Sequence, residues 1–353
     1  MSRIKIILYA IIALLSSCQT KDGTGNESLE FPFVGEANIS ILGDGVILPL
    51  ITDLSVNDTA IIATGALDNH WIHTYHKKTG EPTADHILNG QGPADILGCT
   101  YLSQTKGGWE IYDYMSRKVK LYDDNFSFIE VSNNDSLPSK LKDYNFTALQ
   151  ILPSGKKICY IDKFENGDLI FDGFFMADSI GYSKPFLNLH DEDEIGPLGY
   201  YMQYKFAGSP DGKKLAAVSS PGCCLKLFDT DDNNLILKSS HCYYPLTIKN
   251  PEDAAQVYED NKRSFTSLAV TDSRIIACMD EDPDNYGPTD ILVWDWEGNP
   301  ICRYKSDKII VKFALSPDNP DEIFAFVTDP ERNYALAKIY CRVGQPHCWG
   351  FPL

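Results

Sequence analysis

Six short apolar runs, each closing on an aromatic residue (Tyr75, Tyr122, Phe175, Phe228, Trp294 and Tyr340), predict an all-β chain: a six-bladed beta-propeller of four-stranded antiparallel blades. Repeats of roughly 50 residues holding about four short strands each are the sequence mark of propeller blades. Two further observations agree. Turn residues punctuate the runs at the spacing of short strands. The 19 Tyr and 17 Phe suit a pleated, half-buried surface better than a helix.

The elements follow in chain order. Arg3 and Lys5 form a positive n-region, and Ile6 to Leu15 is an apolar stretch too short to span a bilayer. Leu15-Ser16-Ser17-Cys18 follows it, which resembles the lipobox of bacterial lipoproteins. By that resemblance residues 1–17 are a lipoprotein signal peptide, Cys18 is diacylated, and the membrane is reached through that anchor. Residues 18–37 read as a lipidated flexible tether, because Gln19 to Glu30 is polar and Gly-rich. Residues 38–353 are then the propeller. Asn38 to Leu54 alternates apolar and polar residues around Gly43-Asp44-Gly45, ahead of the repeats. Since the sixth unit offers only Ile309–Leu315, Glu322–Val327 and Ala335–Arg342, this N-terminal segment is expected to supply its fourth strand and close the ring.

Unit two shows the strand pattern best, with Cys99–Gln104, Trp109–Tyr112, Val119–Tyr122 and Phe128–Val131. In unit four, Ser209-Pro210-Asp211-Gly212 reads as a tight turn. Pro presets φ, Asp bonds back to the backbone, and Gly takes φ > 0. Ser316-Pro317-Asp318-Asn319 stands at the same place in unit six. One stretch is not strand-like. Asn250-Pro251-Glu252-Asp253 carries an N-cap Asn, Pro at the first helical position and acids in the first turn, so a short lid helix is expected to about Lys262.

With these residues in view, the chain resembles the TolB-like six-bladed beta-propeller lipoproteins of bacterial envelopes. Members of that family carry a Gly-x-Gly-Pro-Gly-Glu turn between their first two blades. Here it stands as Gly90-Gln91-Gly92-Pro93-Ala94-Asp95, with Ala94 for the Gly and Asp95 for the Glu. Phe265 to Met279 and Ile291 to Trp296 also look like the family, and the resemblance spans roughly Asn38 to Val343. It implies a fold and a location, the cell envelope as an outer-membrane lipoprotein on its periplasmic or cell-surface side. It implies no settled activity.

The charge balance narrows the partners. A net charge of −18 repels a phosphate backbone, which argues against nucleic acid. The links expected on the face of the Gly90–Asp95 turn are Asp68-Asn69, Asp113 to Arg117, Asp162 to Asn166, Ser220 to Cys223, Glu281 to Pro288 and Asp329 to Asn333, and several are acidic. Gln91, Asp95, Asp113, Arg117, Asp282 and Tyr286 are therefore the candidate ligand-binding residues, and they are expected on one face. No cofactor is expected, although Asp280, Asp282 and Asp284 form the densest acidic group and could bind calcium; the alternative is a set of solvated turn caps.

Other constellations carry less. Asp229-Thr230-Asp231-Asp232-Asn233 starts like a calcium loop, but Asn234 and Ser240 hold the places of the Gly and Glu it would need, so a hairpin turn is expected. His70, His73 and His76 would share a helix face, whereas in a strand His73 points away from the other two. Gly90-x-Gly92 is followed by a strand and not by the helix a phosphate cradle needs. No Gly-x-Ser-x-Gly elbow, His-Glu-x-x-His run or Cys-x-x-Cys pair occurs. Among the ten Cys, Cys223 and Cys242 flank the Asp229–Asn233 hairpin at matching distances and are the expected disulfide. The sequence reading is an envelope-anchored binding or scaffolding module for a protein, peptide or glycan. The alternative is a calcium-dependent hydrolase, or another enzyme, with its site at the propeller funnel.

Overall fold

A computed structural model describes residues 30–44, 51–132, 145–177, 203–244, 264–280 and 289–341, together with Gln256, apart from residues 106, 114, 117, 153–155, 166–167, 221–222, 232–233 and 330. Cys18, the expected site of lipidation, the expected helix from Asn250 to Lys262 (Gln256 apart), and Arg117, Asp282, Asp284 and Tyr286 lie outside the described residues.

The described residues form 23 strands in five sheets. The first sheet holds β2 (Asp53–Val56), β3 (Ala60–Leu67), β4 (His70–His76) and β5 (Pro82–Leu88). The second holds β6 (Cys99–Thr105), β7 (Gly108–Asp113), β8 (Lys118–Tyr122) and β9 (Phe128–Ser132). The third holds β10 (Asn145–Ile151), β11 (Lys157–Glu165) and β12 (Asp168–Ala177). The fourth holds β13 (Gln203–Gly208), β14 (Lys214–Ser220), β15 (Cys224–Asp231) and β16 (Asn234–Cys242). The fifth has eight strands and contains two meanders. One is β17 (Ser264–Val270), β18 (Ile275–Asp280), β19 (Thr289–Trp294) and β20 (Pro300–Lys305). The other is β21 (Ile309–Leu315), β22 (Ile323–Thr328) and β23 (Tyr334–Cys341). They are joined through β1 (Val34–Asp44).

The joint corrects the expected ring closure. The N-terminal segment does complete the last meander, because Ala37 to Asp44 pairs antiparallel with β23. The strand ends at Asp44 and does not run on to Leu54: Asp53 to Val56 is not part of it but opens the first sheet as β2. Val34 to Glu36 in addition pairs parallel with β20, so the last two meanders share one sheet.

Burial falls from the middle of each sheet outward, and the sequence follows. Second and third strands such as β19 and β22 are buried at every position and read as continuous apolar runs. The fourth strand β5 is exposed over most of its length and carries Thr83, Asp85 and His86. The core lies between consecutive sheets. One cluster joins the first and second sheets through Ile62, Ile96, Trp109 and Tyr122. Others join the third to the fourth through Ile158, Phe174 and Phe206, and the fourth to β17–β19 through Leu225, Phe265 and Trp294. A further cluster links the last meander back to the first sheet through Phe326, Leu336, Ile61 and Tyr75. First strands also touch in succession, from β10 through β6, β2, β21 and β17 to β13. The sheets therefore pack face to face around a common centre, and the last lies against the first.

The aromatic register holds in four meanders and slips in two. Tyr75, Tyr122, Phe228 and Trp294 are buried and face Ile61, Trp109, Leu215 and Ile275 at the start of the preceding strand. The equivalent positions are Met176, opposite Ile158, and Ile339, opposite Ile323. Phe175 and Tyr340 are each one residue off, and Tyr340 is exposed. A one-residue slip turns a strand side chain to the other face.

The disulfide is Cys224–Cys242, with Cα atoms 4.1 Å apart, and not Cys223–Cys242. Cys224 is the first residue of β15 and is directly opposite Cys242. Cys223 stands just before the strand at φ 44°, where its carbonyl accepts the Tyr243 amide at 3.2 Å. Closing a loop of this length contributes roughly 3 kcal/mol.

Candidate functional site

The six first strands β2, β6, β10, β13, β17 and β21 converge at the centre, and their sequences contain three charged residues: Asp53, Lys205 and Lys312. Lys205 and Lys312 are set between apolar neighbours, and Asp53 precedes one, that pack outward into the clusters between sheets. Leu54 belongs to the cluster joining the last meander to the first sheet. Tyr204 and Phe206 belong to that of the third and fourth sheets, and Phe313 to that within the eight-stranded sheet. Strand alternation then directs the charged side chains the other way.

Bulges shape this centre. The ladder register shifts within β6, β10, β17 and β21, between Cys99 and Tyr101, Phe146 and Ala148, Phe265 and Ser267, and Ile310 and Lys312. First strands are also sheet edges, so their outward backbone groups lack ladder partners, and side chains of neighbouring first strands take some of them up. The Leu102 amide donates to Asp53 Oδ2 at 3.3 Å, and the Phe313 amide donates to Ser267 Oγ at 3.5 Å. Lys205 Nζ donates to the Phe265 carbonyl at 3.0 Å. Asp53 Oδ1 also accepts its neighbour's amide, that of Leu54, at 2.9 Å.

The electrostatics are those of charges held among protein atoms with only partial access to solvent. Burial pushes the Lys205 amine down to about 8, and the charge of Lys312 pushes the same way. Burial also lowers Lys312, with Asp53 acting in the opposite sense. Burial raises the Asp53 carboxyl against the pull of Lys312 and of the two amides. Lys312 acts electrostatically on both other groups, and the strands that carry the three pack in succession, β2 on β21, β21 on β17 and β17 on β13.

The acidic turns occupy a different place. Asp95 Oδ2 accepts the Gly92 amide at 2.9 Å, and a Cβ on Gly90 or Gly92 would come within 2.5 or 2.6 Å of that same oxygen. This is the physical reason for the two glycines. Asp113 is fully buried and accepts the amides of Leu97, Gly98 and Ser116 at 3.3, 3.1 and 3.3 Å and the Ser116 hydroxyl at 2.7 Å. Buried Lys120 joins the two regions, 3.5 Å from Asp113 Oδ2 and donating to the Asp95 carbonyl. The Tyr122 hydroxyl donates to the Ala94 carbonyl at 3.0 Å. Asp95 and Asp113 are thus on one end of the second sheet, with their carboxylates engaged in anchoring the turn; Gln91 is exposed beside them. Asp280 ends β18 as Asp113 ends β7. Asp329 accepts the Glu331 and Asn333 amides, both at 3.0 Å, and Asp68 and Asn69 form a turn with φ of 46° and 66°.

Two other constellations resolve in the same way. His73 is buried and bonds Asp85 Oδ1 at 2.7 Å and the Gly65 carbonyl at 3.0 Å, while His76 is exposed. The strand separates them as alternation requires. Among the described residues no group of three or more His, Cys, Asp or Glu side chains is placed to hold a metal ion.

Comparison with known proteins places the architecture. No protein-family model and no curated protein matches the chain. Solved structures do. The beta-propeller domain of Cps50 (Swd1) from Myceliophteria thermophila aligns with a TM-score of 0.50 at 11% identity, over 87% of this chain and 100% of that one. The fold is a β-propeller. An exported protein from Bacteroides fragilis aligns with this propeller at a TM-score of 0.53 and 12% identity, over 88% of this chain and 99% of that one. A gluconolactonase from Xanthomonas campestris aligns at 0.52 and 10%, over 87% and 90%. The centre on which the strands of Asp53, Lys205 and Lys312 converge is therefore the centre of a propeller.

Proposed function

We propose that the chain is an envelope-anchored, six-bladed propeller lipoprotein of the TolB-like kind that binds a protein, peptide or glycan at its centre. Six blades are supported by the two meanders within the eight-stranded sheet and by the chain of core clusters from one sheet to the next. The anchor rests on Cys18 and the apolar stretch before it. The observation that carries the binding reading is the presence of three ionisable side chains on the first strands, where packing alone would favour apolar ones. Buried charge is costly, and a cluster of it on the central strands is a candidate functional site.

The test is co-purification from detergent-solubilised envelopes, with the wild-type chain and with Lys312→Gln as bait. A partner captured by the first and lost with the second is the expected result; equal capture by both would remove the centre from the function. The second reading is a hydrolase, drawn from the gluconolactonase among the similar folds. It requires turnover of an aldonolactone that stops on chelation of calcium. The donor set described at the centre, two ammonium groups and one carboxylate already bonded to amides, does not suit a divalent cation.

A further inference from the structure

The three central charges do not balance. Lys205 and Lys312 face one carboxylate, and that carboxylate already accepts two backbone amides. The Lys205 ammonium has one carbonyl partner, from Phe265. Two ammonium groups on strands that pack about one centre, each only partly open to solvent, repel. The surplus is positive inside a chain whose net charge is −18. Such a reversal of sign at a concave centre focuses the field on a counter-ion.

We infer that the centre of the propeller is an anion site, in which Lys205 and Lys312 together hold a carboxylate or phosphate group of the ligand. This rests on the centre being the recognition site and goes further by giving the ligand's chemistry. Asp53 is the resident counter-charge. Its charge favours the protonated Lys312 amine against the effect of burial. Lysine supplies a point charge with three rotatable donors, which suits either anion without dictating a planar geometry. Anion binding and protonation are linked here. The amine of Lys205 loses its proton near pH 8 in the empty site, with Lys312 from β21 acting on it, the Phe265 carbonyl of β17 accepting from it, and Asp53 of β2 opposing through Lys312. A bound anion favours the protonated form, so binding near pH 8 takes up protons.

The experiment is isothermal titration calorimetry on the full chain at low ionic strength, with inorganic phosphate and succinate as separate probes. Titrations are run from pH 7 to 9.5 in two buffers of different ionisation enthalpy. Saturable binding of at least one probe is expected, with proton uptake near pH 8 and at least tenfold weaker binding by pH 9.5. Which probe binds distinguishes phosphate from carboxylate. Lys205→Gln and Lys312→Gln should each weaken it tenfold or more, Asp53→Asn should tighten it, and the exposed-loop variant Lys213→Gln should leave it unchanged. Near-ultraviolet circular dichroism of each variant checks that the fold is retained. Absence of saturable binding by either probe overturns the inference, as does binding that ignores both lysine substitutions or takes up no proton near pH 8. If neither probe binds while partner capture still depends on Lys312, the anion site fails and the central binding reading stands. If capture is also indifferent to Lys312, both fall.

Discussion

At the scale of single residues, Lys205 makes the cost of the central site measurable. Its amine falls from 10.5 to about 8 on folding. Between those values the folded chain binds fewer protons than the unfolded one, so stability rises with pH across that window. Below pH 8 both states are protonated and the full penalty is present. Replacing the charge with an apolar chain of similar length removes it. Lys205→Met should therefore raise unfolding free energy at pH 7 by ~1–3 kcal/mol, a figure discounted for the side chain's partial solvent access. The gain should shrink steadily from pH 8 to pH 10. Urea denaturation at pH 7, 9 and 10 measures it, and a destabilisation at pH 7 or a gain that does not change with pH would refute the assignment. These residues were not legible in the sequence. Tyr204-Lys205-Phe206 and Val311-Lys312-Phe313 look like ordinary alternation in a half-exposed strand. The lysines become unusual only once β13 and β21 are known to be the strands at the centre, and that is a tertiary fact.

At the scale of elements, the turn from Gly90 to Asp95 shows how a sequence motif becomes geometry. Its identity as a turn was readable from Gly-x-Gly-Pro, and its acids were readable as turn acids or ligands. What decides between those roles is Lys120, which lies 25 residues from Asp95 and reaches both its carbonyl and the Asp113 carboxylate. No local signal marks such a side chain, because Val119-Lys120-Leu121 again reads as plain strand alternation. Removing the cation leaves Asp113 buried with its four hydrogen bonds but without its counter-charge. Lys120→Met should cost about 3 kcal/mol, and Lys120→Met with Asp113→Asn should recover part of it. Chemical denaturation of the single and double variants checks this; a single variant within 0.5 kcal/mol of wild type, about the scatter of neutral surface changes, would show that the pair does not anchor the turn. Strand register was legible to a similar degree. Large aromatics marked the buried position wherever they filled it, as Tyr122 and Trp294 do. Where Met176 and Ile339 fill it, a neighbouring aromatic misled the count by one.

At the scale of the whole molecule, β1 is the element on which closure depends. A ring of sheets assembled from a linear chain must bring its last strands against its first, and otherwise leaves open edges. Here the last meander lies against the first sheet through Phe326, Leu336 and Tyr75. Its outer edge is taken by a strand from the opposite end of the sequence. β1 makes two attachments, parallel to β20 over Val34 to Glu36 and antiparallel to β23 over Ala37 to Asp44, so it also seals the seam between two meanders. Phe33, Ala37 and Ile39 pack into the cluster beneath that seam, and the Phe33 ring meets that of Tyr304 edge-on at 5.7 Å. The need for a strand from this end was legible, because unit six was one strand short; the division between β1 and β2 was not, since Gly43-Asp44-Gly45 permits either one bent strand or two. A deletion of residues 19–44 removes both pairings and the aromatic contact, whereas a deletion of residues 19–29 removes none of them. The longer deletion should lower the melting temperature by several degrees or abolish cooperative unfolding, as loss of more than about 2 kcal/mol does in a domain of this size. The shorter one should melt with the full chain. Thermal unfolding followed by circular dichroism compares the two, and coincident transitions would mean that the ring holds without its N-terminal strand.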